Sequence, residues 1–163
     1  MRISEGVEWA LHCCGVLSAL PSDKALPVAR LAEYHGVPAA YLAKHMQALS
    51  RAGIVETVRG PRGGYRLARP PAFITVLEIV EAVDGDDPAF TCTEIRRRGP
   101  CAVKDPKLYA APCGITAVMR DAETAWRSSL AEHTVADLAM HALYEAPRRQ
   151  LADTAVWIQE VAR

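Results

Sequence analysis

The hydrophobic pattern divides the chain into helical stretches, broken once by a short ribbon and once by a long irregular segment. Val7, Leu11, Cys14 and Leu17 fall along one side of a first helix, which Ser4 can cap and which Pro21-Ser22-Asp23 ends near residue 20. A short second helix is expected from residue 27 to about 35, with Val28, Leu31 and Ala32 inward and Gly36 closing it. Pro38 suits the first turn of a third helix, where its missing N–H has no partner to lose. Tyr41, Leu42, His45, Met46 and Leu49 make one face of that helix, and Gly53 supplies a left-handed stop.

Beyond Gly53, residues 54–58 and 65–69 read as two strands joined by Arg59-Gly60-Pro61-Arg62-Gly63-Gly64. Three glycines and a proline in that link favour a tight exposed tip. Helix, turn, helix and a ribbon tipped with arginines make a winged helix-turn-helix, an arrangement that docks on double-stranded DNA. On the third helix Tyr41, Lys44 and Gln47 lie at three-residue spacing and Arg51 extends the line. Gln suits a bidentate contact with adenine, and Lys and Tyr suit phosphate or base edges. Arg59 and Arg62 at the tip complete the candidate DNA-facing set.

Thr75 and Glu78 form a capping box that opens a helix carrying Leu77, Ile79, Val80 and Val83, and Asp84-Gly85-Asp86-Asp87-Pro88 stops it. From 89 to 112 the periodicity disappears, and irregular segments of that length inside a compact chain tend to be functional or disordered. From Gly114 a long stripe resumes through Ile115, Val118, Met119, Ala122, Ala125, Trp126, Ser129 and Leu130. The remaining chain offers little to cover it, and a second copy of the same helix would. A homodimer also fits a helix-turn-helix protein, whose two reading helices meet the half-sites of a palindromic operator roughly 34–36 Å apart. Thr134 caps a further helix to about residue 144, Pro147 breaks the chain, and Leu151, Ala155, Ile158 and Val161 pattern a closing helix over 150–162. The expected fold class is mainly α with a small β-wing, a winged helix-turn-helix plus a long dimerisation helix. Residues 1–84 would be the DNA-binding domain, 85–113 a cysteine-containing sensor loop, and 114–163 the dimerisation helix and C-terminal helices.

Composition narrows the picture. Half of the 163 residues are apolar, enough for a core, and no apolar stretch is long and uninterrupted enough to span a bilayer. Glu5, Glu8 and His12 fall where a signal peptide would be apolar, so a soluble cytoplasmic protein without a membrane partner is expected. Lys+Arg and Asp+Glu balance at 19 each. Within 35–70, however, Lys44, Arg51, Arg59, Arg62, Arg66 and Arg69 face Glu56 alone, six minus one, or +5. Phosphate binding needs such a local patch rather than a basic protein, although a solvated basic face would look the same.

Five cysteines, an odd number, argue for thiol, metal or redox chemistry rather than disulfides. Cys13 and Cys14 read as small core residues, whereas Cys92, Cys101 and Cys113 all fall in or beside the irregular segment. Glu8 and His12, four apart, share a helix face, and by themselves make a surface pair worth a few tenths of a kcal/mol at most. Arg96-Arg97-Arg98 is a solvated face, a partner for the acidic loop before it, or a second phosphate contact. An enzyme pairing Cys113 with His12 or His133 finds no support. No nucleophile motif surrounds a cysteine and no Gly-rich phosphate loop follows a strand.

YLAKHMQALSRAGIVETVRGPRGGYRLAR, ITVLEIVEAVDG, the cysteine loop ending in Pro112-Cys113-Gly114-Ile115 and SSLAEHTVADL together resemble the IscR/NsrR-type regulators of the Rrf family, iron–sulfur winged-helix repressors. GVEWALHCC and FTCTEIRRRGP resemble the RsrR-like actinobacterial members. The resemblance implies a homodimer on crossed long helices, a transcriptional regulator, by default a repressor, and often an iron–sulfur cluster sensing redox state, iron supply or nitric oxide. It places Arg59 in a minor groove, and puts Ala43 where relatives can read a base. It also brings the first helix of one subunit near the cysteine loop of the other. A 2Fe–2S cluster held by Cys101 and Cys113, with Glu8 and His12 of the partner copy, then follows, Cys92 being the alternative ligand in a 4Fe–4S arrangement with Glu8. The spacing departs from the family, since eight residues separate Cys92 from Cys101 and eleven separate Cys101 from Cys113. A cluster-free thiol switch and a zinc-stabilised loop are the rival readings.

Overall fold

The computed structural model describes residues 3–60 and 63–162, the side chain of Pro106 apart. Its elements are α1 (Glu5–Ser18), α2 (Val28–His35), α3 (Ala39–Arg51), β1 (Val55–Val58), β2 (Gly64–Leu67), α4 (Val76–Asp84), α5 (Gly114–Ala131), α6 (Val135–Glu145) and α7 (Arg148–Val161). Two compact units result, one of Asp87–Ser129 and the other of the preceding residues together with those from Leu130 onward. The expected fold class, helical with a small two-stranded wing, is what the chain adopts.

In the larger unit the core is built by α1, which packs against α3, α4 and α6. Being enclosed on several sides, α1 buries neighbouring residues such as Cys13 and Cys14 together. On α3 the inward face is Leu42, Met46 and Leu49, all fully buried, each stabilising by about 1.5–3 kcal/mol. Tyr41 departs from the expected inward face and stands 65% exposed, because it lies a quarter-turn outside that stripe. Gly36 (φ 64°) and Gly53 (φ 68°) take the left-handed conformation at the ends of α2 and α3. Pro38 serves as the N-cap of α3, one position before the first turn.

The ribbon is antiparallel, pairing Val55 with Leu67 and Val58 with Gly64. Leu26 and Tyr65 exchange backbone hydrogen bonds at 2.9 and 2.8 Å, tying the wing to the segment before α2. The Thr75–Glu78 capping box of α4 forms as expected, and Thr134 with Asp137 makes another at α6. Ser4 is the N-cap of α1 but makes no side-chain cap bond. Its N–H and hydroxyl instead donate to the Asp84 carboxylate, a charge-assisted pairing stronger than a neutral cap. The segment expected as one piece over 114–163 is shared between the units. Val76 N–H donates to the His133 carbonyl at 2.8 Å and Val135 N–H to the Ile74 carbonyl at 2.9 Å, which fixes α6 beside the start of α4. Helix α7 adds Ile158 to this core, and Trp157 lies against Tyr34 at 4.8 Å between ring centroids.

The smaller unit contains the irregular segment, with short 3-10 turns at Ile95–Arg97 and Pro106–Tyr109, followed by α5. Thr116 is buried there, whereas Ile115 and Val118 are 68% and 66% exposed. No helix among the described residues is long and apolar enough to cross a membrane.

Candidate nucleic-acid interface and thiol centre

Helix α3 presents Tyr41, Lys44, Gln47 and Arg51 to solvent along one side, opposite the buried Leu42, Met46 and Leu49. Ala43, on the edge of this surface, is half-buried and offers no polar group. At the ribbon tip Arg59 is exposed, while Arg62 lies outside the described residues. The basic patch is smaller than the sequence count implied. Arg66 pairs with Glu56 at 2.6 Å and donates to the Ser22 carbonyl at 2.8 Å. Arg69 pairs with Glu78 at 2.7 Å and donates to the Phe73 carbonyl at 2.7 Å. Lys44, Arg51 and Arg59 make no ion pair among the described residues and stand exposed.

Where α3 packs on α1, one contact is especially close. The imidazole of His45 covers the backbone of Gly6, where a Cβ would fall 2.6 Å from its Nε2 and 2.8 Å from its Nδ1. The Trp9 ring meets it edge-on at 6.1 Å. Partial burial, then the Lys44 charge, push His45 below the usual imidazole range, against the pull of Asp84. Sequence reasoning assigned His45 to the inward face and gave it no role; a glycine on the opposing helix was the available signal.

Glu8 and His12 are both exposed on α1, beside a groove of about 380 Å³ lined by Leu11, Val76, Val80 and Leu130 among others. The His12 ring lies 5.8 Å from that of His35 on α2. Among the described residues His35 Nε2 is buried with no hydrogen-bond partner, and burial, then His12, push this imidazole below its usual range.

In the smaller unit, Cys113 immediately precedes α5. Its Sγ accepts the Thr116 N–H at 3.4 Å and lies 3.2 Å from the Thr116 hydroxyl. The Thr116 hydroxyl and N–H, aided by the Ile115 N–H and the Arg96 charge, hold this thiol below the usual range despite some desolvation. Cys92 Sγ accepts the Glu94 N–H at 3.4 Å. Arg96 is bidentate with Glu94, and the charges of Cys113 and Cys92 further favour its charged form. The loop thus brings Cys92 and Cys113 within electrostatic reach of one guanidinium, while Cys101 is exposed. Arg97 lies over the Tyr109 ring and Arg98 donates to the Thr93 carbonyl. Cys13 and Cys14 are of another kind: burial pushes the Cys13 thiol up to about 12 and Cys14 higher still, which leaves both inert. Among the described residues no three His, Cys, Asp or Glu side chains of one chain converge on a point that a metal ion could occupy.

The comparisons with known proteins agree with this geometry. T. potens IscR superposes with a TM-score of 0.66 at 21% identity, covering 91% of this chain and 93% of that one. CymR, the global cysteine regulator of B. subtilis, superposes with a TM-score of 0.63 at 23% identity, over 86% of this chain and 98% of that one. At such identities these two establish the fold. The HTH-type transcriptional regulator NsrR of Shouchella clausii is 25% identical over 141 residues, 86% of this chain and 90% of its own. Residues 3–141 match the Rrf2 family, described as iron-dependent transcriptional regulators. With a winged helix-turn-helix and an exposed cationic reading helix, the chain belongs to the Rrf2 family of DNA-binding transcriptional regulators and is not an enzyme.

Proposed function

We propose that this protein is a homodimeric regulator, by default a repressor, whose hold on a palindromic operator is set by an iron–sulfur cluster, of 2Fe–2S type. The observation that carries the reading is the division of donors. Glu8 and His12 stand exposed on α1, in the unit that reads DNA, while Cys92 and Cys101 stand exposed and Cys113 half-buried in the other. Joined across two copies, these side chains offer enough donors for a complete set. Cys101 and Cys113 with Glu8 and His12 of the partner copy would hold the cluster, with Cys92 as alternative ligand; the shared guanidinium of Arg96 supports Cys92 as a real competitor. The donors fit such a group: thiolates bind iron directly, and imidazole in place of thiolate is known for 2Fe–2S centres. When bound, the cluster would supply a one-electron change in charge beside its ligands.

The chain's own residues provide the rest. Thr116 and Arg96 favour the thiolate of Cys113, the form that ligates. Helix α1 carries Glu8 and His12 and packs directly on α3, so a change in what those side chains bind biases the reading helix. A second reading, a cluster-free thiol switch among the loop cysteines, is favoured by the departure in cysteine spacing and by the likeness to a cysteine regulator. Operator affinity of anaerobically purified protein, measured before and after chelation of iron, separates them. A change of affinity on iron loss supports the cluster. Affinity that ignores iron but follows a reversible thiol oxidant supports the switch.

A further inference from the structure

We propose that His45 is a positioning residue for DNA recognition, setting the depth and rotation of α3 by resting on the side-chain-free backbone of Gly6. Three observations carry this. First, the space above Gly6 is filled by the imidazole, with no room for even a methyl group. Such an overlap is relieved by turning the His45 ring off the backbone or by displacing one helix against the other, and either loses the present seat. Second, His45 directly follows Lys44 and lies two residues before Gln47, both exposed on the reading face, so a displacement at the seat moves the groups that meet DNA. Third, the ring is held laterally as well as from below. Trp9 meets it edge-on at an interplanar angle of 84°, and Asp84, which fastens the start of α1 through Ser4, lies within electrostatic reach. The imidazole therefore rests on α1 at Gly6 and Trp9 while its backbone belongs to the reading helix. His45 itself is half-buried, so its part in recognition is to hold α3 rather than to face the duplex.

The inference rests on the DNA-binding reading and not on the presence of a cluster. Its test uses the full-length protein and a duplex selected by the wild type from a random pool. Gly6→Ala should weaken binding about tenfold, the equivalent of one good base contact misplaced. Gly6→Ala with His45→Ala, which removes the ring the methyl would strike, should bind more tightly than Gly6→Ala and about as well as His45→Ala alone. Such reciprocal rescue is a coupling that independent destabilisation does not produce. Should Gly6→Ala fail to fold, His45→Ala alone should weaken binding without changing the slope of log affinity against log salt, since no phosphate contact is lost. His45→Gln, which keeps a comparable volume, should stay within about threefold of wild type. Wild-type affinity in Gly6→Ala, a double variant no tighter than Gly6→Ala, or a reduced salt slope in His45→Ala would overturn the proposal. The visible spectrum of each preparation reads the cluster separately. Rescue in colourless protein leaves the seat standing and removes the cluster; absent rescue in cluster-bearing protein does the reverse.

Discussion

Arg69 Nη2 lies 2.7 Å from the Glu78 carboxylate, so the last cation of the wing segment fastens the ribbon to α4 instead of facing DNA. Glu78 also accepts the Thr75 N–H at 2.8 Å, which makes it the joint between cap and wing. Partial desolvation works against its charge, but Thr75 and Arg69 together hold the carboxyl below the usual range. A depressed folded pKa stabilises above the ordinary carboxylate value and loses that stabilisation as pH falls through the folded value. Glu78→Ala should therefore cost about 1 kcal/mol near neutrality, the scale of a lost cap. The gap between variant and wild type should close as the solution is acidified. Denaturant melts at several pH values check this. Both side chains are more than a third exposed, so the ion pair itself adds only a small, salt-screened part.

The free and the engaged cations should separate in binding assays. Lys44→Ala should lower affinity and reduce the salt slope by about one unit. Arg59→Ala should sharply weaken specific binding. Arg66→Ala and Arg69→Ala, whose guanidiniums are engaged by Glu56 and Glu78, should act on stability more than on the salt slope. Equal binding of Lys44→Ala, Arg59→Ala and wild type across several salt concentrations would remove the proposed docking.

The apolar stripe of α5 gives a separate prediction for assembly. Ile115, Val118 and Met119 are 68%, 66% and 38% exposed in the single chain. Covered by a second copy, Val118 would sit in a seam where an aspartate is unpaired and costs several kcal/mol. Analytical ultracentrifugation should find wild type dimeric at micromolar concentration and Val118→Asp shifted toward monomer. A monomeric wild type would contradict the arrangement.

How much of this was legible in the sequence depends on the range of the interaction. The buried Leu42, Met46 and Leu49, the Thr75–Glu78 box and the left-handed Gly36 and Gly53 are local, and periodicity or turn chemistry suffices to place them. The misjudgements involve distant partners. Ser4 finds Asp84 eighty positions away, and Arg66 reaches back to the Ser22 carbonyl, so a count of charges along 35–70 overstated the patch. Helices α6 and α7 group with the reading unit through the short backbone pairing of Thr75 with Thr134, which no local pattern announces. The Gly6–His45 seat left one local trace, a glycine within α1, but the partner that fills its place lies on another helix.

The most direct test of the central claim is the visible and paramagnetic-resonance spectrum of anaerobically purified protein, compared with its Glu8→Ala, His12→Ala, Cys92→Ala and Cys113→Ala variants. Thiolate-to-iron charge-transfer bands are expected in wild type. They should be lost in Cys113→Ala, altered in Glu8→Ala and His12→Ala, and retained in Cys92→Ala. Loss of the 2Fe–2S signals in Cys92→Ala, with wild-type spectra in His12→Ala, would contradict the mixed ligand set in favour of three cysteines, and a colourless wild type would contradict the cluster altogether.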